Sequence, residues 1–326
     1  MLLSVVVPLL NEKGNLLELH RRLVAVIESI GCEREIIFVD DGSVDGSDQI
    51  VRELASRDPT VIGLRLSRNF GHEAATTAGF DAARGDITVL MDADLQDPPE
   101  LLAEMHRLWK QGSEVVYAVR RRRVGESRIK LGAAWLFYRT LNFLSEVPIP
   151  LDVGDFRLMD RRVVESLRRC REQDRFMRGL IAWTGFRTAA VHYDRPARVS
   201  GTSHYGILRL FFLSLDAFFG FSIFPLRIAS ATGIVFMLLG MFAALGVCIA
   251  KLAAGYSAFG WALAACGAFF LGGVQLLGIG ILGEYVGRIY RQSQDRPLYL
   301  VAEEIGAAER AARKSNTRES NPRAAA

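Results

Sequence analysis

Three apolar runs end abruptly in acids or amides: VVVPLLNE leaves Asn11 and Glu12, FVDDGS leaves Asp40 and Asp41, and TVLMDADLQDPPE leaves Asp92 and Asp94, with Gln96 beyond them. Any one acid in such a place usually caps a helix or shapes a turn. A converging set is different, because neighbouring carboxylates repel unless a cation or hydrogen-bond donors lie between them. Such a set suits a divalent metal or a ribose, and oxygen ligands suit Mg2+ or Mn2+. Asp45 and Ser47 in DGSVDGS read as caps. Asp97 and Glu100 flank Pro98 and Pro99 and read as a cap and a first-turn residue favoured by the helix dipole. No G-x-G-x-x-G follows the first run and no G-x-x-x-x-G-K-[ST] occurs, which argues against the dinucleotide fingerprint and the P-loop. A phosphatase-type D-x-D would need its pair after the first strand and a hydroxyl residue where this chain has Gln96.

These acids can meet only if their strands lie side by side. LLSVVVP, EIIFVD, TVIGLRL, DITVLMD and EVVYAV are strand-like, and helix-like stretches begin near Gly14, Gly46, Gly71 and Pro98. That alternation predicts an α/β domain over residues 1–200, with a mostly parallel, Rossmann-like sheet and crossover helices. In such sheets ligands bind beyond the carboxyl ends of the strands, where the acids lie. In RFMRGLIAWTGF, Arg175 and Arg178 would share a helical face, and Trp183 reads either as a sugar-stacking ring or as core.

The chain has 326 residues, 50% of them hydrophobic, room for about two domains. Its net charge of +4 and pI of about 9.0, with no dominant basic block, fit anionic partners and give no footprint for nucleic acid. The four cysteines form no C-x-x-C pair, which argues against a disulfide framework or a zinc site. MLLSVVVPLLNE lacks the basic start of a signal peptide, so the N-terminal domain is expected in the cytoplasm.

Residues 228–250 and 252–283 carry no charge, and a bilayer takes roughly 20 helical residues to cross. Two transmembrane helices are expected, at about 228–250 and 260–282. Arginines before the first and after the second place both flanks in the cytoplasm. Residues 201–227 hold Arg209 and Asp216 on one helical face; each would cost about 2.5–3.5 kcal/mol at the bilayer centre, so this segment is expected to lie in the interface. Residues 284–326 read as a cytoplasmic tail, disordered from 307 onward. Small residues four apart (Ala229 and Gly233; Ala264, Ala268 and Gly272) hint at self-association.

VVVPLLNE, VDDGSVDGS, RNFGHEAATTAG and MDADLQDPPE, in this order, resemble the family 2 inverting glycosyltransferases with the GT-A fold. GDFRLMDRR, RFMRGL and R-x-x-G-x-S-H-Y ahead of two C-terminal spans are similar to the polyprenyl-phosphate glycosyltransferases within it, the group of dolichyl-phosphate mannose synthase and the bacterial undecaprenyl-phosphate glucosyltransferases. The resemblance runs over residues 3–292. It implies that Pro8, Leu10, Glu12, Val39 and Asp41, with Ala93, line the nucleotide-sugar pocket, and that Asp92, Asp94 and Gln96 hold the metal and diphosphate. Arg120 and Arg128 become candidates for phosphate contacts; Arg121 to Arg123 read nearly as well as a solvated basic loop beside anionic lipid headgroups. Asp155 is the family's proposed catalytic base, and Arg198, Ser203 and His204 would meet the lipid phosphate. His204 stands where the family usually has lysine, and its unperturbed pKa of about 6.5 makes its charge pH-dependent.

The resemblance implies inverting transfer of one sugar, glucose first, from a nucleoside diphosphate sugar to polyprenyl phosphate at the cytoplasmic face of the bacterial inner membrane. UDP-glucose is the first choice of donor; UDP-galacturonate, a UDP-aminoarabinose derivative, UDP-N-acetylglucosamine and GDP-mannose stay open. A phosphate monoester is largely dianionic at neutral pH, so Asp155 would either align the nucleophile through a neighbour or take a residual proton. A processive synthase would need more spans and a Q-x-x-R-W motif. A non-catalytic membrane scaffold or sugar-lipid-binding subunit would not need the intact D-x-D, Glu12 and Asp155.

Overall fold

The computed structural model describes residues 1–120, 153–193 and 260–306, with helical positions between 231 and 249. They fall into two compact units: 1–120, 153–193 and 297–306 belong to the first, and the remainder to the second.

The first unit is built on one eight-stranded sheet of order β7-β5-β6-β4-β1-β2-β3-β8. The strands are β1 (Leu2–Leu9), β2 (Glu33–Asp40), β3 (Val61–Leu66), β4 (Ile87–Leu90), β5 (Val115–Arg120), β6 (Val153–Asp160), β7 (Thr188–Tyr193) and β8 (Val301–Ile305). The helices are α1 (Leu16–Ile30), α2 (Ser47–Arg57), α3 (His72–Ala82), α4 (Leu101–Lys110), α5 (Arg161–Arg169) and α6 (Met177–Trp183).

Alternation along each strand sorts the core into two layers. Leu3, Val5 and Val7 of β1 pack with Ile36 and Phe38 against α1, α2 and α4. Val6, Ile37 and Val39 face the other way, against α3, α5 and α6. Both faces being covered is why the central strands are near-continuously apolar. Gly79 of α3 marks a close approach: a Cβ there would lie 2.1 Å from Val6 Cγ1.

Parallel pairing holds for β1 with β2, β1 with β4, β2 with β3 and β5 with β7. Against the expectation of a mostly parallel sheet, β6 runs antiparallel to both β4 and β5, and β8 antiparallel to β3. The sheet is therefore mixed. Reversal of β6 has a consequence for the site: Leu90 pairs with Arg157, so the beginning of β6 lies at the same edge as the ends of β1, β2 and β4.

Residues 297–305 are a correction to the expected tail. β8 extends the sheet beside β3, Arg52 forks onto Glu303, and Tyr299 Oη donates to Asp81 Oδ2 at 2.8 Å, a carboxylate that Arg171 also grips. An edge strand's unpaired backbone groups are thereby covered.

In the second unit α7 (Gly260–Ser293) has 34 residues, about 50 Å at 1.5 Å per residue. Phe270–Ser293 holds an 18-residue window of mean hydropathy 1.4 and is long and apolar enough to cross a membrane. Leu276 and Ile279 are 71% and 63% exposed, which suits lipid better than water. A shorter apolar helix covers Ala231–Gly240. Among the described residues there is thus one helix of spanning length where two were expected. The interfacial segment 201–227 and the tail from 307 lie outside the described residues.

Candidate active site

The ends of β1 and β2 are laced together by their own turns. Asp41 N–H donates to Leu9 C=O, Asn11 N–H to Ser43 Oγ at 2.9 Å and Val44 N–H to Asn11 Oδ1 at 2.9 Å. Glu12 N–H donates to Ser47 Oγ at 3.0 Å, and Glu12 Oε2 accepts from Asn15 Nδ2. Asp45 accepts from Lys13 N–H, Ser47 N–H and Ser47 Oγ. Asp45 and Ser47 are therefore more than caps, because they hold the loop that carries Glu12. Leu10 is 41% exposed at this rim, whereas Pro8 and Val39 are buried partners across the β1–β2 ladder.

Asp41 is buried, and its two carboxylate oxygens accept Phe70 N–H at 2.7 Å and Gly71 N–H at 2.9 Å. Burial raises its pKa and those two N–H groups oppose the rise. Gly42, at φ +80°, permits the approach: a Cβ there would lie 2.9 Å from the backbone of Arg68 and Asn69. The loop fixed in this way leads directly into α3, whose first residue is His72.

His72 is the residue that joins the carboxylates. Its Nε2 lies 3.9 Å from Asp92 Oδ1 and 3.7 Å from Asp155 Oδ2. Ligand atoms of His72, Asp92 and Asp155 all lie within 4.8 Å of one another, and among the described residues this is the group of histidine, cysteine and acid side chains able to converge on one ion. Asp94 is not in that group; its Oδ1 accepts Gln96 N–H at 3.1 Å. Leu95 between them has φ +58°, which costs a non-glycine residue about 1–2 kcal/mol. Such strain is often stored at functional sites. Ala93 is buried, and Gln96 Oε1 is buried with no hydrogen-bond partner, an orphaned acceptor that a cation or a ligand donor would satisfy. The donor set fits a divalent cation. Burial, helped by Asp155, Asp94 and Asp97 and opposed by His72, raises Asp92 to about 6.

Asp155 is an ion pair held at three points. Arg178 Nε and Nη2 donate to Oδ1 and Oδ2 at 3.1 and 2.9 Å, and Arg157 Nη2 donates to Oδ1 at 3.0 Å. Burial would raise its pKa, yet the Arg178 hydrogen bond and charge, with Arg157 and His72, hold it well below the carboxylate range. Arg157 is fully buried; Nη2 and Nε also donate to Gly154 C=O and Asp155 C=O, and its guanidinium faces the Tyr117 ring at 5.8 Å. Glu73 Oε2 accepts Met177 N–H, tying α3 to the start of α6.

Several expectations change. Arg175 and Arg178 do not share a helical face, because α6 begins at Met177; Arg175 instead donates to Cys170 C=O and Leu167 C=O. Trp183 is 64% exposed and so is not core. Asp97 is not a helix cap: it is buried and accepts from Tyr193 Oη across the sheet. Glu100 pairs with Arg22. Arg120 ends β5, but its side chain, like Arg128, Arg198, Ser203 and His204, lies outside the described residues. His72, Arg157 and the Arg178–Asp155 pair were not singled out from sequence as site residues. An arginine between apolar neighbours in FRLM was the available signal, since a buried charge demands a partner.

Comparison with known proteins places the chain in a family. A bactoprenol glucosyl transferase of Shigella phage SfV is 39% identical over 304 residues, 93% of this chain and 99% of that protein. A Bacillus subtilis protein named as a glycosyltransferase is 44% identical over 303 residues, 93% of this chain and 94% of its own. Among solved structures, glucosyl-3-phosphoglycerate synthase from Mycobacterium tuberculosis, in complex with Mn2+, UDP-glucose and phosphoglyceric acid, is 22% identical with a TM-score of 0.43, over 65% of this chain and 76% of that one; that likeness is too distant to carry residue roles across. Residues 4–168 match glycosyl transferase family 2. With that match and relatives this similar over nearly its whole length, the chain belongs to glycosyl transferase family 2 and is a glycosyltransferase.

Proposed function

We propose that this enzyme transfers one sugar, glucose first, from a nucleoside diphosphate sugar to a polyprenyl phosphate, with inversion at the sugar carbon. The observation that carries the reading is similarity to a bactoprenol glucosyl transferase along 93% of this chain, a stretch too long to stop at the sheet domain. UDP-glucose is the donor to test before UDP-galacturonate, a UDP-aminoarabinose derivative, UDP-N-acetylglucosamine and GDP-mannose.

Leu10, Glu12 and the rim above Pro8 and Val39 would take the nucleotide, with Asp41 fixing the loop at that end. Asp92, Asp94 and Gln96, beside Ala93, would hold Mg2+ or Mn2+ with the diphosphate, and His72 adds a nitrogen to that set. The bound cation would neutralise charge building on the leaving diphosphate. Arg120 and Arg128 would contact phosphates, and Arg198, Ser203 and His204 the lipid phosphate.

A phosphate oxygen attacking from the face opposite the diphosphate inverts the carbon and needs no base, because a monoester with second pKa near 6 is already largely dianionic at neutral pH. Asp155, held well below the carboxylate range by Arg178 and Arg157 despite its burial, is poorly suited to taking a proton there and well suited to orienting Arg178. The acceptor's tail cannot leave the bilayer. Two spans, at about 228–250 and 260–282, with the catalytic domain and C-terminus cytoplasmic, would hold the enzyme where its acceptor is and remove part of the association entropy. The direct test is radiolabelled transfer from UDP-glucose into lipid extracts of membranes carrying the enzyme. Label appearing only in water-soluble products would overturn the reading.

A further inference from the structure

The turn that carries Asp94 and Gln96 is held in a conformation that is costly for its own residues. Leu95 sits at φ +58°, a left-handed backbone that a bulky side chain rarely adopts. Gln96 beside it is buried, and its Oε1 has no hydrogen-bond partner. A relaxed turn would shed both costs, so contacts from outside must over-determine it. Gln96 N–H reaches Asp94 Oδ1 at 3.1 Å, but that bond is internal to the turn.

A hold from outside comes from the far side of the sheet. β7 lies three strands from β4 in the order β7-β5-β6-β4. It is parallel to β5, which like β4 runs antiparallel to β6. Tyr193, the last residue of β7, therefore sits at the edge where β4 ends. Its ring belongs to the buried cluster that holds Ala93 and Phe156 and against which Leu95 packs. Its hydroxyl donates to Oδ1 of Asp97, which is also buried. A hydroxyl on a carboxylate is among the stronger hydrogen bonds, and Asp97 directly follows Gln96, so fixing Asp97 fixes the outgoing end of the turn.

We infer that Tyr193 is a positioning residue for the cation site. Through Asp97, its hydroxyl holds residues 94–96 in the strained turn that keeps Asp94 and the unmet Gln96 Oε1 available to a divalent ion. This rests on the reading that Asp92, Asp94 and Gln96 hold Mg2+ or Mn2+. Tyr193 acts through Asp97 and makes no contact with the ion itself.

The test measures Mn2+ binding directly, by electron paramagnetic resonance on full-length enzyme in detergent. It compares wild type, Tyr193→Phe, Leu95→Gly and the double variant. Tyr193→Phe keeps the ring in its cluster and removes only the hydroxyl. Mn2+ affinity is expected to fall about 5–20-fold, on the scale of losing one hydrogen bond to a charged group. Glycine takes a left-handed φ without steric cost, so in the Leu95→Gly background loss of the same hydroxyl should change affinity by less than about twofold. Unchanged Mn2+ affinity in Tyr193→Phe would overturn the inference. An equal loss in both backgrounds would also overturn it, because the hydroxyl would then support the fold at large and not the strained turn. Wild type that binds no Mn2+ would sink the cation assignment instead. In that case, or where Leu95→Gly alone abolishes binding, amide hydrogen exchange at residues 94–97 decides. Exchange about tenfold or more faster in Tyr193→Phe, with β4 and β7 unchanged, supports the hold on the turn; equal exchange, or faster exchange throughout, overturns it.

Discussion

Arg178 forks across the Asp155 carboxylate, donating to its two oxygens at 3.1 and 2.9 Å. Asn at that position keeps one acceptor oxygen but turns an NH2 toward the fork and removes the charge that Arg157 and Arg178 share. Asp155→Asn is expected to lower turnover about 100-fold or more, the scale of losing a preorganised electrostatic contact, while donor affinity is retained. Steady-state kinetics with separate donor-binding titrations check this, and near-normal turnover would remove Asp155 from the mechanism.

Cation binding should depend on pH through Asp92, whose carboxyl is raised to about 6 chiefly by burial. Ionised Asp92 binds a cation and protonated Asp92 does not, so Mn2+ affinity should rise with pH through about 6 and level off above it. The sign for the metal-free fold is opposite. A carboxyl with folded pKa above its unfolded value favours the folded state at low pH and loses that contribution as pH rises from about 4 to about 6. Titrating Mn2+ at several pH values tests the first statement; affinity flat between pH 5 and 7 contradicts it.

Asp41 secures the loop ahead of His72 through Phe70 N–H and Gly71 N–H. Asp41→Ala leaves both groups without that acceptor, at about 1–3 kcal/mol for each that stays buried and unmet. The expected result is a lower urea midpoint together with weaker Mn2+ binding, because His72 loses its position. Loss of donor affinity alone, with stability and Mn2+ binding unchanged, would mean that Asp41 acts on the nucleotide and not on the loop.

Gly79 lets α3 sit directly on β1. Gly79→Ala is expected to destabilise by about 1–3 kcal/mol through overpacking, since its methyl would meet Val6 Cγ1 at 2.1 Å. Adding Val6→Ala should return part of that loss if the clash is the cause. Additive losses in the double variant, measured by denaturant unfolding, would place the cause elsewhere.

Much of this arrangement is legible in the sequence because buried parallel strands show themselves as apolar runs, and their carboxylate endings fall on one edge by topology alone. Glu12, Asp41 and Asp92 could be gathered on that ground. β6 could not be read that way: GDFRLMD interrupts its apolar pattern with Arg157, a residue accommodated by Asp155, by backbone carbonyls two and three positions away and by the Tyr117 ring. Its antiparallel insertion, which brings Asp155 beside Asp92, is a property of the sheet as a whole. Long-range pairs were equally hidden. Tyr193 reaches Asp97 and Arg52 reaches Glu303, and nothing local in VAEEI announces an edge strand. His72 sits in RNFGHEAATTAG, yet only the loop bound to Asp41 turns it toward the acids.

Sugar transfer by this family 2 enzyme to polyprenyl phosphate can be observed without an intermediary. The most direct measurement incubates purified full-length enzyme with polyprenyl phosphate, Mg2+ or Mn2+ and a panel of nucleoside diphosphate sugars, and identifies the lipid product by mass spectrometry. One sugar should be added per lipid phosphate, with UDP-glucose giving the most product and Asp155→Asn giving little. No lipid-linked sugar with any donor, in the presence of either cation, would contradict it.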